Sequence, residues 1–287
     1  MENSQSKTGF IAKYAKITTV IAVVFGATSG IFGSLTGASS MAIGFWRLTI
    51  ALPFFIIPVA VNGEKRAKLK AISAADCLWC FAGGAFLFGH FFSWFNAVKL
   101  TNIASASVLA ALHPLVVLLV TVFVYHKKVG FKSVAAIIVA LIGGAVIAFS
   151  GAGSFAGGDL KGDIFAFLAA MFMGLYFSVG DSVRKRVDGG LYVLLVFTSC
   201  WICFAVGSAA TGTQLLGYGL MDYVYIVIMA VVCQIGAHAV FNICSAVYSV
   251  VKGQRKKSSF LTAMTKTGDL SCLYCDLFEK IFCLVPS

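Results

Sequence analysis

The chain alternates long apolar runs with short polar interruptions. Runs of membrane-spanning length cover residues 17–36, 40–61, 76–97, 104–124, 131–150, 162–182, 191–210 and 222–242. Each is close to the roughly 20 apolar residues that a helix needs to cross a bilayer core, which predicts eight transmembrane helices. The gaps carry turn chemistry, as in Val61-Asn62-Gly63, Gly151-Ala152-Gly153, Gly157-Gly158-Asp159 and Asp188-Gly189-Gly190. No long stretch alternates apolar and polar residues, so the strands of an outer-membrane barrel are not expected.

Basic residues fall in every second gap. One set comprises Lys7, Lys13 and Lys16, then Lys65, Arg66, Lys68 and Lys70, then Lys127, Lys128 and Lys132. It continues with Arg184, Lys185 and Arg186 and ends with Lys252, Arg255, Lys256, Lys257, Lys266 and Lys280. That places 19 of 22 Lys and Arg on one side, against Lys99 and Lys161 on the other and Arg47 inside a span. Basic loops stay in the cytoplasm, so the amino terminus is expected inside, with odd-numbered spans running outward. The first 16 residues are polar and basic and lead into a full-length span without a prominent cleavage site, which predicts an uncleaved first helix.

Composition agrees and removes alternatives. Of 287 residues, 60% are hydrophobic and 11% charged, and the mean hydropathy is +0.94. A soluble globule could not hide so much apolar surface, and a disordered chain would carry more charge and less of it. The formal net charge of +11 reads as topology, because a nucleic-acid surface needs a basic face interleaved with aromatics. With 29 Gly and 4 Pro, the composition suits close helix packing through small residues. The expected fold is all-α, a polytopic helix bundle in the cytoplasmic membrane, with the lipid bilayer as partner and nucleic acid excluded.

An internal repeat refines this picture. Asp76 opens the third run and Phe95-Asn96 close it, while Asp222 opens the eighth and Phe241-Asn242 close that one, at an offset of 146 residues. By the charge bias Asp76 lies at the cytoplasmic end of its helix and Asp222 at the outer end of its own. Five-span repeats must invert in this way, and inverted repeats with a shared central site recur among secondary transporters. The expected organisation is a cytoplasmic segment 1–16, a five-helix repeat 17–150, an incomplete three-helix repeat 151–242, and an aberrant polar and basic tail 243–287. In that tail, the charges between Val250 and Leu270 exclude a spanning helix, at about 2.5 kcal/mol or more for each charge placed in hydrocarbon. The repeat pattern is lost just after Asn242, as it would be after a truncation or frameshift.

The stretches Phe25-Gly26-Ala27-Thr28-Ser29-Gly30-Ile31-Phe32 and Ser40-Met41-Ala42-Ile43-Gly44-Phe45-Trp46-Arg47 resemble the opening of EamA-type carriers of the drug/metabolite transporter superfamily. Phe95-Asn96-Ala97-Val98-Lys99 and the run from Ala104 to Pro114 are similar to the third-to-fourth-span signature of that family. The resemblance covers about residues 15–242 and implies ten spans in two inverted five-helix repeats, a central cavity and export of small metabolites or drugs by alternating access. The sequence departs from the family at His126, where an acidic residue is common, and in lacking the last two spans.

Arg47 is the sharpest candidate for chemistry, a guanidinium roughly 10 Å below the outer end of the second helix at 1.5 Å per residue. It could hold a substrate carboxylate or phosphate, or it could snorkel and cap carbonyls. His90 and His113 fall at similar depth, as proton relays, substrate contacts or packed imidazoles bonded to carbonyls. Pro114 is expected to break the fourth helix and free a carbonyl. Asn96, Gln234, His238 and Asn242 are polar groups at or inside span ends, suited to substrate contact or to interhelical hydrogen bonds. The acidic residues near spans, Asp76, Asp163, Asp181 and Asp222, all lie at boundaries, so a carboxylate ion site at the midplane is not expected.

Among nine cysteines, Cys77/Cys80, Cys200/Cys203 and Cys272/Cys275 form C-x-x-C pairs, the one feature favouring a membrane thiol oxidoreductase. No His or further Cys stands at zinc spacing, and no P-loop or hydrolase pattern occurs. No metal, no cofactor and no enzymatic activity are expected. The partner is a small-molecule substrate, and a homodimer is left open. The rival readings are the thiol oxidoreductase and a non-functional transporter remnant.

Overall fold

The computed structural model describes residues 21–143, apart from 23, 127, 132, 133, 136 and 140, and residues 160–239. The expected amino-terminal segment, the 144–159 connection and everything beyond 239, including Asn242, Cys272, Cys275 and the basic tail, lie outside the described residues. Among those described, every regular element is helical.

Helix α1 covers Val24–Leu35. The second span is two helices, α2 (Ser40–Ala51) and α3 (Pro53–Ala60), joined at Leu52. Pro53 has no N–H to continue the ladder and takes the first position of the next helix instead. Helix α4 (Gly63–Lys70) is short and polar, started by the Asn62 side chain, which accepts from the N–H groups of Glu64 and Lys65. Glu64 and Lys68 pair one turn apart at 2.7 Å, which holds the Glu64 carboxyl below its ordinary range. The third span is α5 (Ala74–Leu100), longer at both ends than its apolar run.

The fourth span comprises α6 (Ile103–Ala110), α7 (His113–Leu119) and a π-helical turn at Val120–Val124. The described residues between 131 and 143 are helical where the fifth span is expected. The sixth and seventh spans are α8 (Leu160–Val183) and α9 (Gly189–Thr211). Gly212, at φ +62, ends α9 in the left-handed region, where a side chain would be strained. The eighth span starts as α10 (Leu220–Ile228) and continues as a π-helix over Met229–Ala239. Six of these segments, Ser40–Ala60, Ala74–Leu100, Ile103–Val124, Leu160–Val183, Gly189–Thr211 and Leu220–His238, are long and apolar enough to cross a membrane.

Helix α5 is the centre of the bundle, packed along α8 and α9, while α2 lies between α9 and the π-helix. Small residues let these helices approach. A Cβ on Gly84 would fall 1.6 Å from Ser199 Oγ and 2.6 Å from the carbonyl oxygen of Val196, so α5 and α9 touch backbone to side chain there. The buried cluster combines Leu48, Leu87, Phe91, Phe95, Tyr176, Phe197, Phe204 and Met229. Large apolar side chains also cover the outside, among them Phe54, Leu78, Phe123 and Val206, all more than half exposed. An outer surface of this kind is solvated by lipid. The protein is therefore an integral, multi-pass helical membrane protein.

Candidate functional site

The two ends of the bundle are built alike. Asp76 is the third residue of α5, and its carboxylate accepts from the hydroxyl of the N-cap Ser73 at 2.8 Å. Its other oxygen accepts from Arg186 Nε at 2.9 Å and Nη2 at 2.6 Å. Arg186 in turn donates to the Ser182 carbonyl. The 183–189 turn that connects α8 to α9 is thereby tied to the start of α5.

Asp222 is the third residue of α10, and one oxygen accepts from the N–H of the N-cap Gly219 at 3.0 Å. The other accepts from Thr36 Oγ1 at 3.0 Å and from the Gly37 N–H at 2.7 Å. Lys99, at the far end of α5, donates to the Ala38 carbonyl. The 36–39 turn that connects α1 to α2 is thus tied to the start of α10. Residues 36 and 182 are related by the same offset of 146 that relates Asp76 to Asp222. Helix α5 therefore grips the turn between α8 and α9, and α10 grips the turn between α1 and α2, at opposite ends of α5.

Between these ends lies Arg47, 1% exposed. Its Nη2 donates to Gln234 Oε1 at 2.8 Å. Arg47 Nε and Nη1 and Gln234 Nε2 find no partner among the described residues. The guanidinium carbon lies 4.4 Å from the centre of the Phe91 ring and 5.4 Å from that of Phe95. These rings stand one turn apart on α5 and shield the cation from lipid while attracting it through their faces. The His238 ring packs edge-on against Phe91 at 5.1 Å and lies 6.4 Å from His90. His90 Nδ1 donates to the Ala169 carbonyl at 2.9 Å, with the tautomer fixed by that acceptor.

The structure thus brings together Arg47, His90, Gln234 and His238 from α2, α5 and the π-helix. The π-helical register carries Gln234 and His238 to this layer, and π-segments often mark functional positions. Phe91 and Phe95 belong to the same cluster and were missed from the sequence. Their signal was the i, i+4 aromatic spacing beside His90.

Other candidates fall elsewhere. His113 packs on Phe177 at 5.6 Å, and its Nδ1 donates to the Ala110 carbonyl at 3.0 Å. That carbonyl is the one that the residue-114 N–H would have bonded, so His113 fills the gap that Pro114 leaves. The helix breaks earlier than expected, at Ala111–Leu112, and Pro114 sits in the first turn of α7. Asn96 donates to the Phe92 carbonyl of its own helix at 2.7 Å. His126, just past the fourth span, takes φ 49 and ends the helix in the left-handed region. Cys77, Cys80, Cys200, Cys203 and Cys233 are free thiols. No group of His, Cys, Asp and Glu among the described residues has metal-binding geometry.

Residues 13–149 match the EamA-like transporter family. Over 172 residues the chain is 29% identical to "Uncharacterized transporter YxxF" of Bacillus subtilis (strain 168), a stretch that covers 60% of this chain and spans only 55% of that relative. A protein crystal structure shares the fold at a TM-score of 0.63 and 18% identity, covering 94% of this chain and 95% of the other. The soft small-residue and aromatic motifs, the helical membrane bundle and this match agree: residues 13–149 are similar to the EamA-like transporter family.

Proposed function

We propose that the protein is a secondary carrier that exports small metabolites or drugs across the cytoplasmic membrane by alternating access. The observation that carries this reading is the reciprocal pair of end contacts. Asp76 ties one end through Arg186, and Asp222 ties the other through Thr36 and Gly37. A buried polar layer at Arg47 and Gln234 lies between them. Opening either contact while the other holds would expose that layer to one side of the membrane only, which is the requirement of alternating access. In this reading Arg47, His90 and Gln234 line the substrate path, the loop with Arg186 faces the cytoplasm and the 36–39 turn faces outward. Asn96, His113 and Pro114 shape the helices around it.

Flux into proteoliposomes holding the full chain tests the reading, with a panel of radiolabelled small metabolites and no nucleotide. Saturable flux that survives dithiothreitol and the Cys77→Ser change supports a carrier. Electron transfer lost under either treatment, with no solute moved, would replace it by thiol chemistry.

A further inference from the structure

Arg47 carries a full positive charge that no acid among the described residues balances at its depth. Glu64, Asp76, Asp163, Asp181, Asp188 and Asp222 all lie in the first or last turn of a helix or in a loop. The protein atom that accepts from the guanidinium is a neutral amide oxygen, Gln234 Oε1 at 2.8 Å. Arg47 Nε, Arg47 Nη1 and Gln234 Nε2 are unpartnered among the described residues, and both side chains are at most 1% exposed. Every unused group in this pair is a donor. A buried donor without an acceptor costs about 1–3 kcal/mol, and more when charged, so the site is completed by an anion with at least two oxygens.

The size of the charge selects the anion. One guanidinium neutralises one negative charge, and burial of a neutral pair in a dry layer is far cheaper than burial of a net ion. A dianionic phosphate would leave one charge in excess unless His90 or His238, 6.4 Å apart, took up a proton beside the fixed cation of Arg47. The rings of Phe91 and Phe95 lie 4.4 and 5.4 Å from the guanidinium carbon, so the surroundings of the charge are apolar and aromatic.

We propose that Arg47 and Gln234 together bind the carboxylate of a small monoanionic substrate with an apolar body. The proposal rests on the transporter reading for its physiological meaning, but the binding itself can be measured without transport.

The test uses radiolabelled benzoate on the purified full chain in nanodiscs, with binding read by scintillation proximity. Benzoate should bind saturably, and unlabelled benzoate should compete better than phenyl phosphate, benzyl alcohol or benzylamine. Arg47→Gln should weaken binding about 10- to 100-fold, the loss expected for hydrogen bonds to a charged group. Arg47→Met supplies the folding control. Removal of an uncompensated buried charge should leave the melting temperature of the ligand-free protein unchanged or raised, and benzoate should stabilise the wild type alone. Failure of benzoate to bind overturns the proposal, as does equal competition by benzyl alcohol, tighter binding of phenyl phosphate, or a large drop in melting temperature on Arg47→Met without ligand. Benzoate binding with no flux in proteoliposomes would remove the carrier reading and leave the site. Flux of other solutes that is indifferent to Arg47→Gln would do the reverse.

Discussion

At the scale of single residues, His113 and Pro114 show how one residue repairs what another breaks. Pro114 withholds the N–H that the Ala110 carbonyl would accept, and His113 Nδ1 supplies a donor at 3.0 Å. We expect His113→Ala to lower thermal stability by about 1 kcal/mol, the low end of the cost of an orphaned acceptor, since the Ala110 carbonyl is half-buried. Pro114→Ala in the same chain should recover much of that loss, because the restored backbone N–H reaches Ala110. A double-mutant cycle of melting temperatures checks the coupling, and additive losses would show that the two residues act separately. Arg47 was legible from the sequence, since a guanidinium in an apolar run is expensive. Its partner was not, because Gln234 lies 187 positions away and reaches the layer through a π-helical register that no spacing rule announces.

At the scale of elements, six of the apolar runs form helices long and apolar enough to cross a membrane, because hydrocarbon thickness sets helix length. The kinks were less legible. Pro53 divides the second span at Leu52, and the fourth span breaks two residues before Pro114 rather than after His113, because proline is accommodated in a first turn. Close helix contact depends on single glycines. Gly84→Val on α5 should push α9 away, since even a Cβ there meets Ser199 Oγ at 1.6 Å and a carbonyl at 2.6 Å. The expected outcome is a loss of several kcal/mol or failure to yield a monodisperse protein. Size-exclusion profiles and thermal melts measure it, and a wild-type melt for Gly84→Val would contradict the packing described here.

At the scale of the whole molecule, Asp76 and Asp222, spaced alike from a following Phe-Asn in the sequence, make matching contacts. Both acids are third residues of their helices, and each grips a turn between two other helices. Arg186 and Asp76 meet at one end of α5, while Lys99 and Asp222 share the other. The two grips differ in kind. The Arg186–Asp76 pair is partly solvated, with the Arg side chain 53% exposed, and pairs of that kind contribute about 0–1 kcal/mol. Asp222 accepts a hydroxyl and a backbone N–H from the 36–39 turn, contacts that are also partly open to solvent. Arg186→Ala should raise the reactivity of cysteine probes near Val187 toward a membrane-impermeant maleimide severalfold, with little change near the 36–39 turn.

The account stands or falls on whether the two ends open in turn. Double electron–electron resonance in a cysteine-depleted chain would follow two spin-labelled pairs, Leu35 with Leu220 at one end and Lys70 with Lys185 at the other, all exposed positions. The account predicts that Asp222→Asn lengthens the Leu35–Leu220 distance while the Lys70–Lys185 distance stays short, and that Arg186→Ala does the opposite. Both pairs lengthening together, or neither responding to its own contact, would contradict alternating access between the repeats.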